Sequence, residues 1–456
     1  MIEKILVANR GEVAVRVIRA CRNLGIHTVA VYSESDSEAL HVQLAEDAVC
    51  IGSAPASESY LSIDRILAAA EITECDAIHP GYGFLAENPE FVRRCQENDF
   101  IFIGPTAEVM ELMGNKTNAR RIMKKAGVPI TPGAESSISD VFEAKAIADQ
   151  IGFPVMIKAA NGGGGKGMRE VYHPHKFVSQ FQVAQQEAIR AFGDDRMYIE
   201  KFIVKPHHIE VQVLGDHFGN IITLGERDCS IQRNHQKLIE EAPSPFISEA
   251  TRQKMLDTAL LAAKTVNYTS AGTIEFIVDE RQNFYFLEMN TRLQVEHPVT
   301  EFVTGIDLVE AMIKIEDGHP IPAAWHDLPI RGHAIECRIN AEDPIDHFRP
   351  SPGQIGKIHF PAGHGVRVDT GIYDEYMIPS DYDSMIAKII VYGADREAAI
   401  KRMQAAIDET VITGIDTNLD FHYMILQDPY YLLGGVDTGF IDQFLKSFID
   451  DLQRKV

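Results

Sequence analysis

From Glu288 to Glu301 the chain reads Glu-Met-Asn-Thr-Arg-Leu-Gln-Val-Glu-His-Pro-Val-Thr-Glu, which sets Glu288, Asn290, Arg292, Gln294 and Glu296 on alternate residues. Alternate side chains share one face of an extended strand. Such a face cannot pack into an ordinary core, because every buried charge needs a partner or a bound ion. One polar, ligand-facing strand through Glu296 is therefore expected. A further carboxylate lies upstream in Gly272-Thr-Ile-Glu275-Phe-Ile-Val-Asp279, and the polar segment Glu280–Asn283 joins two apolar runs as a β-hairpin would. A turn centred between Arg281 and Gln282 sets Glu275 opposite Glu288, with side chains about 5 Å apart. Facing carboxylates repel unless a divalent cation lies between them, and Mg²⁺ takes one or two carboxylates together with substrate phosphates. The alternative is a merely solvated hairpin face. Arg292 and Glu296 on the same continuing face oppose it.

Phosphate chemistry has a second candidate location in Asn161-Gly-Gly-Gly-Gly-Lys-Gly167. Gly167 follows Lys166 where a Walker A loop would need Ser or Thr. The segment reads either as an ordinary surface turn or as a hairpin whose bare N–H groups close over phosphate oxygens. Lys116, Lys158, Lys201 and Lys237 each fall at the end of an expected element, and lysine is a common point-charge partner for phosphate. Ten of the twelve residues from Glu226 to Lys237 carry hydrogen-bonding side chains, which suits a ligand-facing strand and makes His235 and His208 ribose or phosphate contacts. Cys229 within that segment lacks a dedicated base and orienter, so it reads as a small filler beside a site rather than a nucleophile.

These groups need a scaffold. Strands are expected at Lys4–Ala8, His27–Tyr32, Asp76–His79 and Phe100–Ile103, with a helix from Glu12 to Leu24 that aligns Val13, Val17, Ala20 and Leu24 and stops at Gly25. Alternation of strand and helix indicates a parallel sheet with covering helices. The loop from Ala8 to Glu12 has a single glycine, which argues against a dinucleotide fingerprint. A basic helix is expected from Met110 to Ala126, ended by Val128-Pro-Ile-Thr-Pro-Gly133. Ser136 to about Phe202 reads as a small glycine-hinged lobe with strands at Phe153–Lys158 and Met168–Tyr172. The remainder is strand-rich to Asn290 and then mixed, with helices at Asp307–Asp317 and Arg396–Glu409.

With 456 residues, 45% hydrophobic and 24% charged, the chain has the composition of a soluble multidomain protein. Its net charge of −23 argues against nucleic acid and anionic membranes as partners. No apolar run reaches the length of a membrane span, and the N-terminus reads as a first strand rather than a signal peptide. The six cysteines, at 21, 50, 75, 95, 229 and 337, show no CxxC spacing, which fits a reducing cytoplasm.

Together, Ile5-Leu-Val-Ala-Asn-Arg-Gly-Glu12, His79-Pro-Gly-Tyr-Gly-Phe-Leu-Ala-Glu-Asn88, the glycine run, Glu226–Lys237, Glu288–Glu301 and Gly332-His-Ala-Ile-Glu-Cys-Arg-Ile-Asn-Ala-Glu342 resemble the biotin carboxylase subunits of acetyl-CoA carboxylase, in the ATP-grasp superfamily. The likeness runs from Ile2 to about Leu445. It implies an α/β ATP-grasp fold: an N-terminal parallel-sheet domain (1–113), a linker and lid lobe (114–202), and an ATP-grasp core with a C-terminal mixed α+β domain (203–447). It further implies ATP held by Lys116, Lys158, Gly163, Gly164, Gly165, Glu200, Lys201, Ile203, His208, Gln232 and His235, and Mg²⁺ or Mn²⁺ held by Glu275, Glu288 and Asn290. Bicarbonate would meet Lys237, Arg292, Gln294, Val295 and Glu296, with Glu296 as base, Arg338 beside the ureido oxygen of biotin and Tyr82 packed against that cofactor. Implied partners are a biotin carboxyl carrier protein, carboxyltransferase subunits and a second copy of the chain. Asn161 and Ser380-Asp381-Tyr382 depart from the commonest family pattern. The acyl acceptor of the whole enzyme, acetyl-CoA, pyruvate or another, is left open. So is another ATP-grasp ligase joining a carboxylate to an amine, or an ATP-binding protein without turnover.

Overall fold

The apolar run Lys4–Val7 (β1) leads into the helix Gly11–Asn23 and then β2 (His27–Ser33), and β3 (Asp47–Gly52), β4 (Ala77–His79) and β5 (Ile101–Phe102) complete a five-stranded sheet in the order β3-β2-β1-β4-β5. All its pairings are parallel, as the strand–helix alternation predicts. Val13, Val17 and Ala20 of the first helix are buried. Gly25 ends the turn after it in the left-handed region, at φ +73°, where a Cβ would be strained. The computed structural model describes residues 1–134, 136–159, 168–192, 194–326 and 328–446. The glycine run therefore lies outside the described residues, Gly163, Gly164 and Gly165 included. The strands flanking it, β6 (Val155–Ala159) and β7 (Arg169–Val171), pair antiparallel in a three-stranded sheet completed by β8 (Met197–Lys201).

Strands β9 (His207–Gly215), β10 (Ile221–Arg233), β11 (Gln236–Ala242), β12 (Ser270–Val278), β13 (Phe284–Asn290) and β14 (His333–Asn340) join the strands Met385–Gly393 and Val366–Thr370 in one eight-stranded sheet. Every pairing in it is antiparallel. No helix among the described residues is long and apolar enough to cross a membrane.

Three local expectations are corrected. The hairpin turn is centred on Arg281, since Val278 pairs with Phe284, and a bulge between Phe286 and Glu288 then adds the residue that restores the Glu275–Glu288 pairing. The polar strand ends at Asn290 instead of continuing to Glu296, because the Thr291 N–H donates to Glu87 Oε1 at 3.0 Å and Pro298 presets the first turn of the helix His297–Thr304. The basic helix is two helices, Ala107–Gly114 and Lys116–Ala126, parted where Asn115 turns extended and caps the Asn118 N–H at 2.9 Å.

The loop after β1 positions part of the cavity wall. Asn9 Nδ2 donates at 2.7 Å to the carbonyls of both Pro80 and Tyr82. Arg10 lies 4.1 Å from the centroid of the Tyr382 ring and is held bidentately by the fully buried Asp36, at 2.7 and 2.8 Å. Burial would raise the Asp36 carboxyl, but Arg10 and the Tyr60 hydroxyl hold it below its ordinary 3.8. A depressed carboxyl stabilises fully above its unfolded value and loses that contribution as pH falls through the folded value. Asp36→Asn should thus cost about 3–5 kcal/mol at pH 7, since it strips a buried cation of its partner. In urea unfolding the gap to wild type should narrow below about pH 4; a gap that stays constant down to pH 3 would contradict this assignment of the charge.

Candidate active site

Cross-strand register assembles the site. Glu275 in β12 faces Glu288 in β13 and Glu210 in β9, and Glu210 in turn faces Arg227 in β10. Three carboxylates in one row would repel. The sheet resolves this from within: Arg227, fully buried, donates to Glu210 at 2.5 Å and to Gln212, Thr300 and Thr273 at 2.7–3.0 Å. The row borders a cavity of about 920 Å³. Lys116, Lys237, His208, Gln232, His235, Glu275, Glu288, Asn290, Arg292, Gln294, Val295, Arg338 and Tyr82 all line it, so most of the expected residues converge on one space.

Glu275 accepts from His208 Nε2 (2.9 Å), Asn290 Nδ2 (2.8 Å), Gln294 Nε2 (3.1 Å) and Lys237 Nζ (3.2 Å). Burial would raise its pKa, but Lys237 and His208 override that and hold it far below the usual carboxylate range. Glu288 is partly exposed and meets Lys116 Nζ at 2.8 Å; the side chain of Lys116 is otherwise 78% exposed. Asn290 Oδ1 faces the same side, where Arg292 Nη2 reaches it at 3.2 Å. The oxygens of Glu275 and Glu288 and an amide oxygen on a wall open to the cavity are a hard-oxygen donor set that fits Mg²⁺ or Mn²⁺.

Behind the part of the lining made by Lys237, Val295 and Arg338, Glu296 is fully buried. Lys237 Nζ lies 2.5 Å from its Oε1 and Arg338 Nη2 2.9 Å from its Oε2. Burial would raise the Glu296 carboxyl, yet Lys237, Arg338 and Arg227 together hold it well below its ordinary value. Lys237 also meets Glu210 at 2.6 Å, and Arg338 Nε donates to Glu240 at 2.5 Å. Cys229 lies behind this cluster, 3.9 Å from Glu296 Oε1; burial and neighbouring carboxylates push its thiol far up, so it is a filler and not a thiolate nucleophile.

The segment Thr291–Glu296 keeps its polar groups together without being a strand. Arg292 donates to Gln294 Oε1 at 2.9 Å and to Glu87 Oε2 at 2.8 Å, so the N-terminal sheet domain clamps the loop. Lys158, Glu200, Lys201 and Ile203 stand apart from the cavity lining, in or beside the small sheet. Lys158 pairs with Glu200, while Lys201 Nζ is spent on the Gly152 and Phe153 carbonyls at 2.9 Å each. Sequence reasoning missed Glu210, Glu240, Glu87 and Lys388. Glu210 had a usable signal, since His208, Glu210 and Gln212 alternate as Glu288 and Asn290 do; a lone lysine in the apolar run Met385–Gly393 had none.

Family descriptions match nearly all of the chain: "Biotin carboxylase, N-terminal domain" over residues 1–110, "Carbamoyl-phosphate synthase L chain, ATP binding domain" over 115–324, and "Biotin carboxylase C-terminal domain" over 336–443. A biotin carboxylase of Nostoc sp. is 53% identical over 97% of this chain and 99% of its own length. A pyruvate carboxylase subunit of Methanothermobacter thermautotrophicus is 51% identical over 100% of this chain and 92% of its own. Among solved structures, the biotin carboxylase domain dimer of Hydrogenobacter thermophilus 2-oxoglutarate carboxylase, in complex with MgADP, ADP and bicarbonate, superposes with a TM-score of 0.89 at 48% identity, covering 97% of this chain and 98% of that one.

Proposed function

The chain belongs to the biotin carboxylase family, and on that premise we propose that its cavity activates bicarbonate with ATP and carboxylates N1′ of biotin borne by a separate carrier protein. The observation that carries this reading is Glu296, a fully buried carboxylate held between Lys237 and Arg338 and set beside the Glu275–Glu288 row. With only those cations for company Glu296 is a weak base. Bicarbonate arriving between Lys237, Arg292 and Gln294 draws the positive charge of Lys237 away from Glu296 and onto itself, which returns proton affinity to Glu296 and lets it take the bicarbonate proton.

The freed oxyanion attacks the γ-phosphoryl of ATP, yielding ADP and carboxyphosphate. Lys116, His208, Gln232 and His235 line the cavity, and ATP is assigned to them. Lys158, Glu200, Lys201 and Ile203, in or beside the small sheet, are assigned to ATP as well, as are Gly163, Gly164 and Gly165 outside the described residues, and closure of the lid lobe would keep water from the intermediate. Glu275, Glu288 and Asn290 would hold a divalent cation, which would supply charge neutralisation at the phosphates. Carboxyphosphate then gives CO₂ and phosphate, the phosphate removes the N1′ proton, and Arg338 faces the negative charge that develops on the ureido oxygen while Tyr82 packs against biotin. The chain works as a homodimer with the carrier and carboxyltransferase subunits, and six unpaired cysteines suit a reducing cytoplasm. The names of the relatives, pyruvate carboxylase and 2-oxoglutarate carboxylase among them, fit more than one final acyl acceptor.

The test is bicarbonate-dependent ATP cleavage with carboxybiotin formed from free biotin. ATP cleavage indifferent to bicarbonate would point to another ATP-grasp ligase. The chain itself should carry no covalent biotin. Its nearest look-alike for an Ala-Met-Lys-Met site, Ala311-Met-Ile-Lys-Ile315, lies in the helix Leu308–Glu316, where Lys314 pairs with Glu310 at 3.0 Å. An avidin-reactive lysine found by mass spectrometry would contradict this.

A further inference from the structure

We propose that Lys388 is a positioning residue for bicarbonate activation: its ammonium tethers the Val295 carbonyl and so fixes the peptide from which Glu296 hangs. The proposal rests on the reading of the cavity as a bicarbonate-activating site. Lys388 sits in the middle of the strand Met385–Gly393 and is fully buried. Its Nζ donates to Val295 O at 2.8 Å and lies 3.2 Å from Glu12 Oε1, 4.0 Å from Asp369 Oδ2 and 5.9 Å from the centroid of the Tyr82 ring.

The loop Thr291–Glu296 has no strand partner of its own, so its backbone depends on such single tethers. Glu87 holds one end, through the Thr291 N–H and Arg292. The other end is held by the bond from Lys388, and by His297, whose Nδ1 lies 2.8 Å from Gln294 O. The Val295 carbonyl and the Glu296 N–H belong to one planar peptide. Fixing the carbonyl fixes that plane and the Cα of Glu296, hence the direction of its side chain toward Lys237 and Arg338. A buried ammonium costs several kcal/mol unless paired. Glu12, buried in the first turn of the helix Gly11–Asn23, supplies the pair and has no other ion-pair partner among the described residues. Asp369 is taken by Arg367 at 2.6 Å. Lys388 also pairs in register with Arg338 across β14, yet Arg338 turns to Glu240 and Glu296, leaving Lys388 to the loop. Lys388 thus links the N-terminal helix and its own strand to the bicarbonate loop.

Removing Lys388 alone would strand Glu12, so the informative comparison is Glu12→Gln, which costs stability by taking the counter-charge from the ammonium but keeps the tether, against Glu12→Gln/Lys388→Met, which lacks both tether and stranded carboxylate. Should the double variant fail to fold, Glu12→Met/Lys388→Met, with both ends of the pair apolar, takes its place. Bicarbonate-dependent ATP cleavage is measured across bicarbonate concentration, with ATP affinity determined separately. The double variant should lose roughly a hundredfold in kcat/KM for bicarbonate, the scale of a 1 Å misplacement of a reacting group, with ATP affinity unchanged, while Glu12→Gln stays near wild type. Equal bicarbonate saturation in the two variants would overturn the proposal. So would an equal loss in both, which would assign the effect to the ion pair, and so would ATP affinity falling in parallel, which is what a merely structural role predicts. Wild-type protein without bicarbonate-dependent cleavage would instead overturn the reading of the site, and this proposal with it.

Discussion

Glu288→Lys is expected to take ATP cleavage below detection in a protein that still unfolds cooperatively. Glu288 pairs in register with Glu275 and faces Lys116 at 2.8 Å. The substitution brings an ammonium onto the cavity wall beside Glu275, where it neutralises charge without offering oxygen ligands to a metal. It also sets two lysines side by side at the cavity wall. The fold should tolerate this because Glu288 is partly exposed, with a side chain 32% accessible, whereas the buried Glu275, which accepts from Lys237 and His208, stays in place. An Mg²⁺ titration of ATP cleavage together with a thermal melt decides the matter. Mg²⁺-dependent turnover by a folded Glu288→Lys protein would remove Glu288 from the metal set.

Glu296→Ala should lower bicarbonate-dependent ATP cleavage and biotin carboxylation alike, by about 10²–10⁴-fold, as loss of a positioned general base does. ATP affinity should be spared, because Glu296 lies behind the cavity wall and the residues proposed to hold ATP belong to other segments. The two cations left behind are not orphaned: Lys237 keeps Glu210 at 2.6 Å and Glu275 at 3.2 Å, and Arg338 keeps Glu240 at 2.5 Å. Arg338→Ala should separate the half-steps, leaving some ATP cleavage while suppressing carboxybiotin. Phosphate release and carboxybiotin measured in parallel distinguish the variants. Near-wild-type bicarbonate-dependent cleavage by Glu296→Ala would exclude it as the base.

Which parts of this site could be read from the chain follows from how far apart the cooperating residues lie. The parallel sheet, the helix at Glu12–Leu24 and the Glu275–Glu288 pairing rest on short-range periodicity, and all three are present. The last was reached through two compensating departures, a turn shifted by half a residue and a bulge that shifts it back, because turn type and bulge are decided by packing and not by the apolar pattern. The split of the basic helix had a local signal, Gly114-Asn115, outweighed by the helical pattern around it. Alternation beyond Asn290 misled, since the strand is ended by Glu87, a residue 204 positions away.

By itself, then, the sequence determined which residue types are available to chemistry and, where they are near neighbours on one hairpin, which of them face each other, because such geometry follows from backbone periodicity alone. The tertiary structure decided everything that depends on distant partners. It brought Arg292 to Glu87, Arg338 to Glu240 and Glu296, and Lys388 to Val295, across 205, 98, 42 and 93 residues. It also decided that Glu296 is buried and ionised between two cations, since burial and charge balance belong to the packed sheet and have no counterpart in the linear order of residues.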